Sequence, residues 1–286
     1  MTDFTWPTAL PALITPFTES GEVDIDAHHH NISLMAERGC KGVLIGGSTG
    51  EGPLLEPGDR RILVAKARRA APAMTVICGV NAESTRQAIS QITEGAAGGA
   101  HSALVLTPTT VSRNRIANVE RFYGEVAEEA SLPILLYTAP GVTGWVLPTE
   151  SVNRLAPHPN ILGIKDSVGE PDRLDAYADL IESGFVIYAG TTRALLESGK
   201  RGAHGAITAS SNYALTEVGR AMSGDGDAQK RMTELSRIVE VHGVTGTKFA
   251  ASLVGLRPGH PRSPLSDIGP DAQNTIIEAL AGAGLG

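Results

Sequence analysis

The sequence predicts a (β/α)₈ barrel with a C-terminal helical extension, and three observations lead there. Eight short apolar, β-branched segments recur along the chain, and segments with helical spacing separate them. No G-x-G-x-x-G follows the first apolar segment, so the signature of an open dinucleotide-binding sheet is missing. The strand-like segments are "ALPALITPF" (9–17), "GVLIGG" (42–47), "MTVICGV" (74–80), "SALVLTP" (102–108), "PILLYTA" (133–139), "ILGIK" (161–165), "FVIYAG" (185–190) and "GAITAS" (205–210). Between them, stretches such as "DAHHHNISLMAERG", "PGDRRILVAKARRAAP", "RIANVERFYGEVAEEA" and "PDRLDAYADLIESG" have helical periodicity, and several open with Asp, Ser or Pro and close near Gly or Pro. Three helical stretches follow the last strand, at 212–243, 245–256 and 271–285. The expected division is a barrel over 1–220 and an extension over 221–286, with no low-complexity linker between them.

Composition excludes several classes of function. The chain has 286 residues, 42% of them hydrophobic, enough for a sizeable core. A net charge of -7, from 24 basic against 31 acidic residues, leaves no basic patch to cover a phosphate backbone, so no nucleic-acid partner is expected. No apolar run is long enough to span a bilayer, and "MTDFTWPTAL" lacks the basic and apolar regions of a signal peptide. A cytoplasmic protein without a membrane partner is the expectation. Cys40 and Cys78 are far from any CxxC pairing and read as buried reduced thiols.

In such a barrel the chemistry sits at the C-terminal ends of the strands, where the following loops converge. Three candidates fall there. "GGSTGEGP" (46–53) follows the second strand; Gly46, Gly47 and Gly50 let the backbone approach a ligand, and Ser48 and Thr49 offer hydroxyls and amides suited to a carboxylate. An ordinary glycine-rich loop is an equal reading, and Glu51 beside it serves either a partner hydroxyl or a structural hydrogen bond. Tyr137 closes the fifth strand, where alone it would be a core tyrosine with its hydroxyl at the surface. Lys165 closes the sixth. A strand-end lysine can snorkel to water, but Ile161, Leu162 and Ile164 supply walls that strip water from the amine and favour its neutral, nucleophilic form. A neutral amine attacks a ketone carbon to give an imine, and a neighbouring phenol can move the protons this requires.

The combination "GGSTGE", "LLYTAPG", "GIKDS" and "YAGTTRALLESGKRGAHGAITASSN", in this order, resembles the dihydrodipicolinate synthase and N-acetylneuraminate lyase family of class I aldolases, from about Leu10 to the last helix. The resemblance implies a (β/α)₈ barrel with C-terminal helices, usually a homotetramer, with no metal or organic cofactor. It places the Schiff-base lysine on Lys165 and the catalytic tyrosine on Tyr137. It places the grip on a pyruvate-type carboxylate on Ser48 and Thr49, with backbone from Gly47, and a backbone carbonyl near Ile207.

Departures from the family pattern bear on the substrate. Dihydrodipicolinate synthases typically carry an arginine two positions after the proline of the tyrosine motif; here Val142 stands there. They commonly carry a tyrosine pair after the fourth strand; here Thr109 and Thr110 do. Loss of a charged donor from a carboxylate site argues against aspartate semialdehyde. The segment "HPNILGIKDSVGEPDRL" resembles aldolases acting on 4-hydroxy-2-oxoglutarate and 2-keto-3-deoxy sugar acids, with Asp166 and Ser167 facing the substrate or supporting residues that do. The expected activity is therefore pyruvate-dependent aldol cleavage or formation of a 4-hydroxy-2-oxo acid or sugar acid, with pyruvate or another 2-oxo acid and an aldehyde as partners. The alternatives are 4-hydroxy-tetrahydrodipicolinate synthesis, a related dehydration, or a barrel that only binds a metabolite. Gly190, Thr191, Thr192, Ser210 and Ser211 are candidates for the distal part of the substrate, with helix capping an equal reading for the hydroxyls. "AGTTR", with Arg193, offers a weaker phosphate site. The run His28, His29, His30 cannot converge on one metal ion from a helix and reads as a solvated face.

Overall fold

The computed structural model describes residues 5–285. The outermost residues of the two expected segments, 1–4 and 286, lie outside the described residues. Eight parallel strands occur where the apolar segments predict them: β1 (Ala9–Pro11), β2 (Gly42–Ile45), β3 (Thr75–Val80), β4 (Ser102–Leu106), β5 (Ile134–Thr138), β6 (Ile161–Asp166), β7 (Val186–Ala189) and β8 (Gly205–Thr208). Each pairs with its sequence neighbour from β2 to β8, and β8 returns to β1. The last seam closes just beyond β1, where Ala12 bridges Leu44 and the Leu13 amide donates to the Leu44 carbonyl at 2.9 Å. β1 is far shorter than the expected 9–17, because Pro11 and Pro16 lack the N–H groups a ladder needs.

The connecting helices are α1 (Ile25–Glu37), α2 (Asp59–Ala70), α3 (Thr85–Gly98), α4 (Ile116–Glu129), the short α5 (Pro140–Thr143), α6 (Thr149–Leu155), α7 (Ala178–Glu182) and α8 (Leu195–Lys200). Their starts follow local chemistry: Asp24 caps α1 by accepting from the Ala27 amide, and Ser84 caps α3 through Gln87. "PDRLDAYADLIESG" is not one α-helix. Residues Pro171–Tyr177 form a 3₁₀ helix that runs into α7. Leu174 and Tyr177, three residues apart and both buried, share a face at three residues per turn.

Side chains alternate along each strand, so the barrel has an inner and an outer core. Leu10, Leu44, Ile77, Leu104, Leu135 and Ile207 fill the inside. Outside, α9 (Leu215–Met222), α10 (Gly226–Val239), α11 (Gly243–Leu253) and α12 (Pro270–Gly282) follow β8. Val218, Met232, Val239, Ala250 and Leu280 of these helices share one apolar cluster with Ala189 and Ala206 of the barrel. Among the described residues, no helix is long and apolar enough to cross a membrane. Cys40 and Cys78 are buried thiols, pushed up to about 11 and about 12 by loss of water.

One expectation on α1 fails. His28 is not on a solvated face: it is buried, with Nε2 hydrogen-bonded to the Leu63 carbonyl at 3.0 Å, while His29 is exposed. α1 packs against α2, and the ring fills the seam between them.

Candidate functional site

Strand pairing brings the two principal candidates together. Tyr137 of β5 and Lys165 of β6 are register partners, so both side chains leave the sheet on the same, inner face. Lys165 Nζ donates to the Tyr137 hydroxyl at 3.2 Å and lies 4.3 Å from the ring centroid. Both are nearly sealed from water, Lys165 at 5% exposure. Burial alone would push the Tyr137 phenol up, but the charge and hydrogen bond of Lys165, aided by the nearby Ser167 and Ser48 hydroxyls, hold it below its usual value. The Ser48 and Ser167 hydroxyl oxygens are buried, and neither has a hydrogen-bond partner among the described residues. Such atoms beside a lysine fit a polar ligand.

A cavity of about 380 Å³ opens over this pair. Of the residues picked out by sequence, Ser48, Thr49, Tyr137, Lys165, Ser167 and Gly190 line it, as does Thr191. Gly190 has a steric reason to be glycine: a Cβ there would sit 1.8 Å from Ser167 Oγ and 2.9 Å from Lys165 Cε. A larger cavity of about 660 Å³, bordered by Met35, Tyr213 and Leu253, includes neither Lys165 nor Tyr137, so size does not mark the site.

Three expected site residues are not at the cavity. Asp166 follows Lys165 on the strand and so faces the opposite way; it pairs with Arg173 at 3.1 Å and accepts from the Val168 amide. Gly47 is packed behind the turn, where its Cβ would meet Leu44 Cδ2 at 2.7 Å. Ile207 turns its side chain into the apolar barrel core, and from the same segment Ala209 lines the cavity. Thr192, Ser210 and Ser211 also lie behind the wall, in a buried hydroxyl chain with Thr208. Thr109 and Thr110 close on Glu83, each through its amide and hydroxyl. These four bonds outweigh the partial burial of Glu83 and hold its carboxyl below the usual range.

The glycine-rich turn is fixed from its buried side. Thr15 Oγ1 donates to the Gly50 carbonyl at 2.7 Å, and a Cβ on Gly50 would lie 2.6 Å from the Leu13 carbonyl oxygen. These glycines therefore serve packing against the strand ends, and only Ser48 and Thr49 face the cavity. Glu51, in the left-handed region at φ 57, ion-pairs with Lys248 of α11 at 2.6 Å and accepts from the Arg262 amide at 2.8 Å. Lys248 Nζ also donates to the His260 carbonyl at 2.7 Å. Burial pushes the Lys248 ammonium below its usual value, with Glu51 opposing.

That bolt sets α11 against the site. Val244 and Thr247 of α11, Glu240 just before it, and Arg193 after β7 complete the cavity wall. Sequence reasoning missed Glu240, Val244, Thr247 and Lys248. For Lys248 a signal existed, since "TGTKFAASLVGL" encloses a lysine in small and apolar residues as "ILGIK" does.

A sequence profile described as the Dihydrodipicolinate synthetase family matches residues 7–283. The chain is 37% identical over 204 residues to the 4-hydroxy-tetrahydrodipicolinate synthase of Stenotrophomonas maltophilia, covering 71% of this chain and 68% of that one. It is 31% identical over 290 residues to the synthase of the same name from an Azoarcus species, covering 97% and 98% of the two chains. Among solved structures it superposes on the chloride-inhibited dihydrodipicolinate synthase of Acinetobacter baumannii complexed with pyruvate, with a TM-score of 0.91, 27% identity, and 98% and 100% of the two chains covered.

Proposed function

The chain belongs to the dihydrodipicolinate synthetase family of class I, Schiff-base lyases, and from that premise we propose that Lys165 is the nucleophile that condenses with pyruvate. Nζ attacks C2 of pyruvate and water leaves, giving an imine; loss of a C3 proton then gives an enamine. The enamine adds to an aldehyde carbon, forming a carbon–carbon bond, and the aldehyde oxygen takes up a proton. Tyr137 moves these protons, and Ser48 and Thr49 hold the pyruvate carboxylate. The observation that carries this reading is the buried Lys165–Tyr137 pair, 3.2 Å apart in the wall of the cavity. The extension over 221–286 belongs to the same site in this reading, since Glu240, Val244 and Thr247 contribute to the wall built on the 1–220 barrel.

For the second substrate, relatives named 4-hydroxy-tetrahydrodipicolinate synthase, at 31% and 37% identity, favour aspartate semialdehyde over the hydroxy-oxo acids expected from sequence. After aldol addition, the amine of that substrate would displace Lys165 from C2, closing the ring and returning the free lysine. Val142 supports the second reading, an aldolase of 4-hydroxy-2-oxo or sugar acids: it lines the cavity at 47% exposure and offers no charge. A cytoplasmic homotetramer completes the proposal.

The test is borohydride reduction in the presence of pyruvate, followed by intact mass and peptide mapping, with Lys165→Ala as control. A reduced adduct on Lys165 is expected; its absence from folded protein would overturn the nucleophile assignment. Turnover with aspartate semialdehyde, set against a panel of hydroxy-oxo acids, then chooses between the two readings.

A further inference from the structure

The turn that carries Ser48 and Thr49 rests on the backbone at the end of β3, and two side chains outside the cavity wall pin it there. Asn81, the residue after β3, holds the near end: its Nδ2 donates to the Gly46 carbonyl at 2.9 Å. Asn81 is itself fixed, since its amide donates to Gln91 Oε1 at 2.8 Å and its carbonyl accepts from Gln91 Nε2 at 3.0 Å. Arg60, in the first turn of α2, holds the far end. Its Nη2 donates to the Gly52 carbonyl at 2.7 Å and its Nε to the Gly79 carbonyl at 3.1 Å, so one guanidinium fork joins turn to strand. The contact leaves no slack: a Cβ on Gly79 would lie 2.4 Å from the Gly46 carbonyl oxygen, and one on Gly52 2.3 Å from Asn81 Nδ2. Between the two pins the Gly52 amide closes on the Gly47 carbonyl at 2.9 Å, and Ser48 and Thr49 line the cavity.

Packing alone does not account for Arg60. It is 3% exposed, and among the described residues no carboxylate forms an ion pair with it: Asp59 is taken by Arg262 at 2.8 Å, and Glu94 acts only from beyond 4.0 Å. Burying an unpaired guanidinium is costly, and an apolar side chain would fill the same space at lower cost. What the guanidinium adds is a rigid pair of donors for two carbonyls on different segments. We propose that Arg60 and Asn81 are positioning residues of the carboxylate grip, holding Ser48 and Thr49 in the geometry that receives pyruvate. The inference rests on the pyruvate-lyase reading above and adds to it the residues that set its anion site from behind.

The test is cyanoborohydride trapping, which spares the free ketone, of pyruvate and of methyl pyruvate, which has the same ketone but no carboxylate anion. It uses the full chain, wild type and with Arg60→Met, Arg60→Lys or Asn81→Asp. Intact mass follows the trapping rate against ketone concentration, and circular dichroism follows the fold. Arg60→Met is expected to raise the pyruvate half-saturation about tenfold or more, with the maximal rate and the methyl pyruvate half-saturation within about twofold of wild type. Arg60→Lys keeps the charge without the fork and should recover part of the loss. Asn81→Asp sets an oxygen against the Gly46 carbonyl in nearly the same volume; it should show the same split, and it carries the test if Arg60→Met does not fold. An unchanged pyruvate half-saturation in the folded variants, or an equal change for both ketones, would overturn the positioning role. Full recovery by Arg60→Lys would overturn the fork, since charge alone would then suffice. Failure of the wild-type protein to trap pyruvate would bring down the lyase reading, and the positioning role with it.

Discussion

Lys165 and Lys248 are both almost sealed from water, at 5% and 3% exposure, yet their surroundings solve the problem of a buried amine in opposite ways. Lys248 meets a carboxylate at 2.6 Å and a backbone carbonyl at 2.7 Å, and lies 5.0 Å from the Phe17 ring centroid, so its charge is matched on several sides. Lys165 meets a phenol at 3.2 Å and an open cavity, with no carboxylate in ion-pair contact among the described residues. A charged, fully partnered lysine bolts two segments together. A lysine whose one close partner is itself a proton donor is available for covalent chemistry. Burial alone therefore does not pick out a nucleophile; the partner set does.

The comparison breaks or sharpens through crossed substitutions. Lys165→Met should abolish the borohydride-trapped pyruvate adduct and all turnover while the protein keeps its fold, measured by mass spectrometry and circular dichroism together. Residual adduct on another lysine would erase the distinction. Tyr137→Phe comes next, with turnover lower by about 10²–10⁴ as the proton carrier is lost. Pyruvate should still be trapped on Lys165, more slowly. An unchanged turnover number would mean that the phenol only packs against the amine.

These two residues were legible in the sequence because strand parity and strand order do the work: each ends an apolar run, on adjacent strands, in phase. The eight strands were legible for a related reason, since strands covered on both faces leave continuous apolar runs. The same pleat argues that Asp166 must face away from Lys165, a constraint the resemblance to other aldolases obscured. Other parts of the site had no local signature. Glu240 reaches the cavity because α10, just before it, returns over the barrel, and it sits in no motif spaced for that meeting. The partner of Glu51 lies 197 positions away, so the pair becomes visible only in three dimensions.

Lys248→Met tests the other lysine. Removing one member of a buried pair strands Glu51 without its counter-charge, at a cost of about 3–5 kcal/mol in unfolding free energy measured by urea. The fraction that remains folded should still trap pyruvate on Lys165. Lys248→Met combined with Glu51→Met should recover part of the stability, because the stranded charge is gone. Loss of trapping in folded Lys248→Met protein would instead give the bolt a direct part in holding Ser48 and Thr49.

His28 offers the third way to bury a base, which is to keep it neutral. Among the described residues its Nδ1 has no partner and Nε2 contacts only the Leu63 carbonyl, and burial, opposed by that carbonyl and aided slightly by His29, lowers it from 6.5 to about 4. The unfolded chain takes up a proton near pH 6.5, whereas the native ring resists until about pH 4. Above pH 6.5 both states are neutral and stability is complete; as pH falls toward 4, only the unfolded state gains the proton and stability drops. The loss levels off below pH 4 at about 3 kcal/mol. His28→Gln keeps a donor for Leu63 and removes the titration, so its urea-derived stability should fall less steeply between pH 7 and 4 than that of the wild type. Parallel slopes would mean that the native ring carries its proton with a single carbonyl for support. In that case a buried charge in this fold would not need the full partner set that Lys248 has.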